Sequence, residues 1–155
     1  MEQSAQMSIE WQCSQLCYRF AYLLDSGDFE GMISLFSHDG VFDRVGQVLR
    51  GHEAMRAAFQ SRPKVTSRHC VTNIHFLNVQ SDRAEAHVYN MSYHAIGVWA
   101  DKPLVYATQN GRCIDFHDHF LLTKDGWRFA SREARVIFVP QDWHEPTTTP
   151  ARPAS

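Results

Sequence analysis

The spacing of apolar residues changes once along this 155-residue chain, and that change constrains the fold more than any other feature. Up to about residue 60 apolar positions recur every three or four residues, as on helix faces; from Thr66 they alternate, as on half-buried strands. Cys13, Leu16, Cys17, Phe20 and Leu24 form one stripe, which predicts a first helix over about residues 8–25. Ser26-Gly27 closes it, since glycine tolerates the left-handed conformation that ends helices. Asp28 then caps a second, short helix carrying Met32, Ile33, Leu35 and Phe36. Ser37-His38-Asp39-Gly40 is turn chemistry, and a hairpin follows: Val41–Asp43, a bend at Gly46, then Val48–Arg50. A third helix holds Ala54, Met55, Ala58 and Phe59 and stops before Pro63.

The alternating part divides into strands at about residues 68–80, 84–99, 112–123 and 127–139. Ser81-Asp82-Arg83 and Lys124-Asp125-Gly126 turn the chain, and a loop with Pro103 and Gln109-Asn110-Gly111 joins the middle pair. Helices first and an antiparallel meander after them predict an α+β fold with the helices on one face of the sheet. The expected organisation is a flexible N-terminus (1–7), one domain (8–139) and a proline- and threonine-rich tail (140–155) that is mobile or docks on a neighbour.

A formal net charge of −2 supplies no basic field, which argues against nucleic acid as a partner. No apolar run reaches membrane-spanning length, and Met1–Glu10 has neither a basic start nor an apolar stretch, so a cytoplasmic location is expected. Cys13 and Cys17 share a helical face but lack C-x-x-C spacing, which favours two small apolar residues in a buried stripe over a metal pair. There is no glycine-rich phosphate loop and no G-x-S-x-G elbow. Asn90-Met91-Ser92 matches a glycosylation sequon by accident of a strand sequence. Nine histidines are many for this length and call for an explanation.

In the strand at 84–99, Ala84, Ala86, Val88, Ile96 and Val98 share a face with Asn90, Ser92 and His94. Small apolar residues with polar groups towards one end suit a cavity floor, and His94 there can move a proton near neutral pH. In the strand at 112–123, Ile114, Phe116, Phe120 and Leu122 share a face with a single charge, Asp118. Desolvation leaves such a carboxyl two options. Kept protonated, it can donate to an oxyanion; ionised, it needs a structural partner such as Arg132. The opposite face shows Asp115, His117 and His119 together, a pattern shared by strand metal sites and by outer or subunit-facing polar surfaces; the alternation favours the surface, with no metal. His69 opens a strand and Asp25 ends a helix, and neither is specific alone.

Several short motifs resemble the nuclear transport factor 2-like superfamily, and within it the SnoaL-like and scytalone dehydratase group. They are Asp25-Ser26-Gly27-Asp28-Phe29 with Leu35-Phe36, Asp39-Gly40-Val41-Phe42, Arg50-Gly51-His52-Glu53-Ala54-Met55, His69-Cys70-Val71-Thr72-Asn73, Asp82-Arg83-Ala84-Glu85-Ala86 and Gly126-Trp127-Arg128-Phe129. The resemblance implies a cone made by a strongly curved sheet, with helices enclosing an apolar pocket. It also puts Asp25, His69 and His94 where scytalone dehydratases keep an aspartate and two histidines that work on a proton beside a carbonyl. Leu24 and Arg44 replace that enzyme's tyrosines, so its substrate does not carry over. Ketosteroid isomerases share the fold; Asp43 and Asp118 lie near their base and acidic donor, while Phe20 replaces their oxyanion tyrosine and the resemblance leaves Tyr18 or Tyr22 as its substitute.

The expectation is therefore a cofactor-independent lyase or isomerase acting on a small hydrophobic cyclic carbonyl compound. Asp25 and His94 form its working pair, His69 is the second acid/base group, and Asp118, Asn90, Asp43, Tyr22 and Phe20 are the substrate-side residues. The alternative is non-catalytic: a hydrophobic-ligand carrier, or a subunit resembling the small subunit of aromatic-ring dioxygenases. A homodimer or trimer is expected, with Tyr89, Met91 and Tyr93 offering an interface.

Overall fold

The computed structural model describes residues 1–60, 65–106 and 111–141, so Pro63, the Gln109-Asn110 turn and nearly all of the tail lie outside the described residues. Its elements run α1 (Gln3–Ser26), α2 (Phe29–Ile33), β1 (Phe36–Arg44), β2 (Gln47–Arg50), α3 (Gly51–Gln60), β3 (Val65–Val79), β4 (Arg83–Ile96), β5 (Arg112–Thr123) and β6 (Gly126–Phe138). The strands form one curved, open sheet in the order β2-β1-β6-β5-β4-β3, in which β1 and β6 are parallel and all other neighbours antiparallel. The α+β class is as expected. Among the described residues, no helix is long and apolar enough to cross a membrane.

Helix α1 buries the predicted stripe, Cys13, Leu16, Cys17, Phe20 and Leu24, extended by Ile9 and Ala21. It starts at Gln3 rather than near residue 8, so most of the segment expected to be flexible is helical. Gly27, at φ 77°, closes the helix, and the Asp28 carboxylate accepts from the Gly31 amide at 2.8 Å to cap α2, as the residue types predict. Phe20 sits at the centre of the core, edge-on to Phe36, Phe42, Phe116 and Phe129 at centroid distances of 5.5–6.2 Å.

Extra residues in single strands set which side chains face inward. Between Phe36, opposite Phe129, and Val41, opposite Ser131, β1 makes an irregular excursion through the segment expected to be a turn. A Cβ at Gly40 would stand 2.9 Å from the Ser37 carbonyl oxygen and 3.1 Å from that of Phe129, so only glycine fits there. In β3 the register shifts at Asn73, which takes φ 43°, and Val71 and Ile74 both pack against the core as a result. In β5 the inward set is Ile114, Phe116, Asp118 and Phe120, as predicted, because the extra residues opposite it fall in β6.

Three inward assignments fail, at two strand ends. Pairing of β4 with β5 stops at Ser92, and beyond it Ala95 is buried beside Trp99 and Leu104 while Ile96 (87% exposed) and Val98 turn outward. Leu122 is likewise exposed, because at that end its partner Trp127 takes the buried place.

Candidate active site

A carboxylate in the last turn of a helix faces the negative end of the helix dipole and needs donors from elsewhere. For Asp25 they come from the edge strand β3. Its Oδ2 accepts the His69 amide at 2.8 Å, and its Oδ1 accepts the Ser67 hydroxyl at 2.7 Å and the His69 Nδ1 at 2.6 Å. Burial raises the Asp25 pKa, but the hydrogen bonds from His69 and Ser67 outweigh it and hold the carboxyl below its ordinary value. The ring of His94, on the neighbouring strand, stands edge-on to that of His69 at 5.4 Å between centroids. Asp25, His69 and His94 are thus brought together, but with a correction to the expected pairing: Asp25 holds His69, and His94 is the second imidazole. Strand register decides this, since Ser67 and His69 share the inward face of β3 directly beneath the end of α1.

Both imidazoles line a cavity of about 110 Å³ between α1, α3 and the inner face of the sheet. Its apolar walls are Phe20, Leu24, Phe42, Phe59, Ile114, Phe116 and Ala134, and its polar lining adds Ser92, Arg44 and Arg112. Room of this size suits one small ring. Ser92 is fully buried, and its hydroxyl has no hydrogen-bond partner among the described residues; the same holds for both side-chain polar atoms of Asn90. Burial, and then the nearby Arg112 charge, lower the Arg44 pKa.

The remaining predicted residues divide. Phe20 is a wall of the cavity. Asn90 lies two residues along β4 from Ser92 on the same buried face. Tyr22 does not belong to the site: it is 72% exposed, on the outward side of α1. Asp43 is half-buried in the β1–β2 hairpin, where its Oδ1 accepts the Gly46 amide at 2.7 Å and holds the turn rather than a ligand. Asp118 takes the structural alternative. It is fully buried and accepts from Arg132 Nε at 2.7 Å and Nη2 at 2.6 Å, and the Cys17 thiol donates to it at 3.5 Å. The Arg132 guanidinium lies 4.2–4.4 Å from the ring centres of Phe20, Phe116 and Phe129, which seal the pair off from the cavity.

Ser67, Arg44 and Arg112 are site residues that sequence reasoning did not select. Alternation from His69 marks Ser67, but the two arginines sit at a strand end and a strand start, where no periodic signal shows which way they face. Among the described residues one cluster of three metal-ligating side chains occurs, and it lies away from the cavity: Glu85, His117 and His119 on the outer face of the sheet.

No protein of curated function matches this chain. The fold recurs in solved structures, including a proposed scytalone dehydratase from Novosphingobium aromaticivorans, with TM-score 0.76 and 16% identity over 99% of this chain and 100% of that one. A nuclear transport factor 2-like protein with a cystatin-like fold from the same organism gives TM-score 0.65 and 22% identity, covering 81% of this chain and 80% of that one. A protein of unknown function from Mycobacterium tuberculosis gives 0.70 and 24%, covering 88% and 81%. Identities this low establish a shared architecture. The SnoaL-like domain matches residues 5–133, from the first turn of α1 into β6, and on that match the chain belongs to the SnoaL-like family.

Proposed function

We propose that this protein is a cofactor-independent lyase or isomerase that removes a proton beside the carbonyl of a small hydrophobic ring compound. The observation that carries the proposal is the 2.6 Å contact between Asp25 Oδ1 and His69 Nδ1 at the lining of a mostly apolar cavity. In a neutral imidazole that contact places the hydrogen on Nδ1 and leaves the lone pair on Nε2. His69 Nε2 then takes the proton, and the ionised Asp25 stabilises the imidazolium that forms. Negative charge developing on the substrate oxygen is met by the guanidinium groups of Arg44 and Arg112 and by the hydroxyl of Ser92, all of which line the cavity. In an isomerisation the His69 imidazolium returns its proton to another ring carbon; in a dehydration His94, protonated from solvent, donates a proton to the departing hydroxide and His69 releases its own to water. The likeness to a proposed scytalone dehydratase agrees with this chemistry and leaves the substrate open.

The test is hydrogen–deuterium exchange at the carbon beside the carbonyl of cyclohexanone and smaller cyclic ketones, followed by NMR in deuterated buffer. Exchange accelerated by the wild-type protein and lost in His69→Ala supports the proposal. Saturable binding of the same ketones with no acceleration would mark a carrier instead.

A further inference from the structure

The cavity accounts for two of the nine histidines; four others, His75, His87, His117 and His119, gather on the outer face of the sheet. Cross-strand pairing aligns them in a block. His75 stands opposite His87, His87 opposite His117, and Glu85 opposite His119. The rings of His87 and His117 are 4.8 Å apart at their centroids, and those of His117 and His119 are 4.7 Å apart. Glu85 Oε1 lies 2.6 Å from His117 Nε2. One donor atom from each of Glu85, His117 and His119 lies within 4.8 Å of the other two.

We propose that Glu85, His117 and His119 bind a divalent transition-metal ion, with His87 or water as the fourth ligand. Two imidazoles at i and i+2 on one strand project side by side, and a carboxylate on the neighbouring strand faces them across the gap. With ligand bonds of about 2.0–2.2 Å, donor atoms within 4.8 Å of one another are near enough for side-chain adjustments to bring all three onto one ion. Imidazole nitrogens with one carboxylate suit zinc and its neighbours and are a poor set for calcium or magnesium, which require oxygen. The ion would clamp β4 to β5. Glu85 and His119 also border a surface depression of about 470 Å³, so one side of the ion stays open to solvent. None of this depends on the chemistry of the cavity, which lies on the other face of the sheet.

The experiment is calorimetric titration of the metal-stripped full chain with zinc chloride, paired with thermal melts with and without the ion. One ion per chain, and a higher melting temperature with zinc, are expected from the wild-type protein. His117→Ala/His119→Ala should weaken binding about 100-fold or more and abolish the thermal shift, whereas His38→Ala, which removes an exposed imidazole elsewhere, should change neither. If the double variant fails to fold, Glu85→Gln takes its place, keeping size while losing a charged ligand. Absence of saturable binding, binding that survives these substitutions, or one ion bridging two chains would each overturn the proposal.

Discussion

Asp25 and Asp118 each meet a basic side chain at 2.6 Å, yet the surroundings make them different objects. Asp118 and Arg132 are both fully buried, walled in by phenylalanine rings and joined by two parallel hydrogen bonds. A guanidinium cannot release its proton at any working pH, so this pair has one state and serves packing. Asp25 and His69 keep 13% and 9% of their side chains exposed, and His69 reaches the cavity. An imidazole can take and release a proton near neutrality. The same carboxylate chemistry is thus structural where it is sealed against arginine and, in the function proposed above, catalytic where it holds a histidine at a cavity. Family resemblance suggested catalytic roles for both aspartates, and only the neighbours separate them.

Breaking the sealed pair should give the largest effect. Asp118→Ala leaves a buried guanidinium without its anion and should cost about 3–5 kcal/mol, read from urea unfolding. The double substitution Asp118→Leu/Arg132→Met should recover most of that loss, since replacing a buried ion pair with apolar groups is often near neutral. A double variant as unstable as the single one would mean the pair does more than fill the core. His69→Ala should do the reverse: the fold persists while ketone exchange falls about 10²–10⁴-fold, as for loss of a general base. Were exchange to survive in His69→Ala and vanish in His94→Ala, the two imidazoles would have to trade roles.

How much of this was legible depends on range along the chain. The α1 stripe, the Asp28 cap and the four long strands follow from local periods and turn residues, and all are present. The gathering of Asp25, His69 and His94 came from resemblance. Which imidazole Asp25 holds was not legible, because it depends on β3 being the edge strand under the end of α1, a contact made across 44 residues. Alternation put Asp118 on the correct face, but its fate depended on Arg132 arriving through a β6 register with an added residue. Asp43 and Tyr22 were selected by correspondence of position. The local hairpin hydrogen bond of the first and the outward turn of α1 under the second overrule that. Glu85 and His119 lie on different strands, and no spacing announces that they meet.

A smaller effect sharpens the pH side of the comparison. The folded-state pKa of Asp25 is held below its ordinary value, so the carboxylate contributes stability that is present above about pH 4 and is lost as pH falls through the depressed pKa. Asp25→Asn keeps the size of the side chain and removes that contribution. The variant should lose about 1–3 kcal/mol at neutral pH, and its gap from wild type should narrow as pH drops below about 4. A gap unchanged between neutral and acidic pH would mean that the charge on Asp25 is not what its hydrogen bonds stabilise.

The smallest expected effect is at Tyr22, where position along α1 and direction of the side chain make opposite predictions. One helical turn before Asp25 and two residues from Phe20, it is near the site in sequence, and resemblance offers it as a substitute oxyanion donor. The helix turns about 100° per residue, so a residue two places from the inward Phe20 points to the far side, which agrees with its 72% exposure. Tyr22→Ala should then change stability by no more than about 0.5 kcal/mol and leave the rate of ketone exchange and its pH profile where they were. Phe20→Tyr asks the converse at a position that does line the cavity: the neighbouring phenylalanine rings offer an added hydroxyl no acceptor, so it either costs stability or donates to the ligand. Loss of exchange in Tyr22→Ala with the fold intact would mean that α1 rotates when ligand binds, and that the inner face seen here is only one of two.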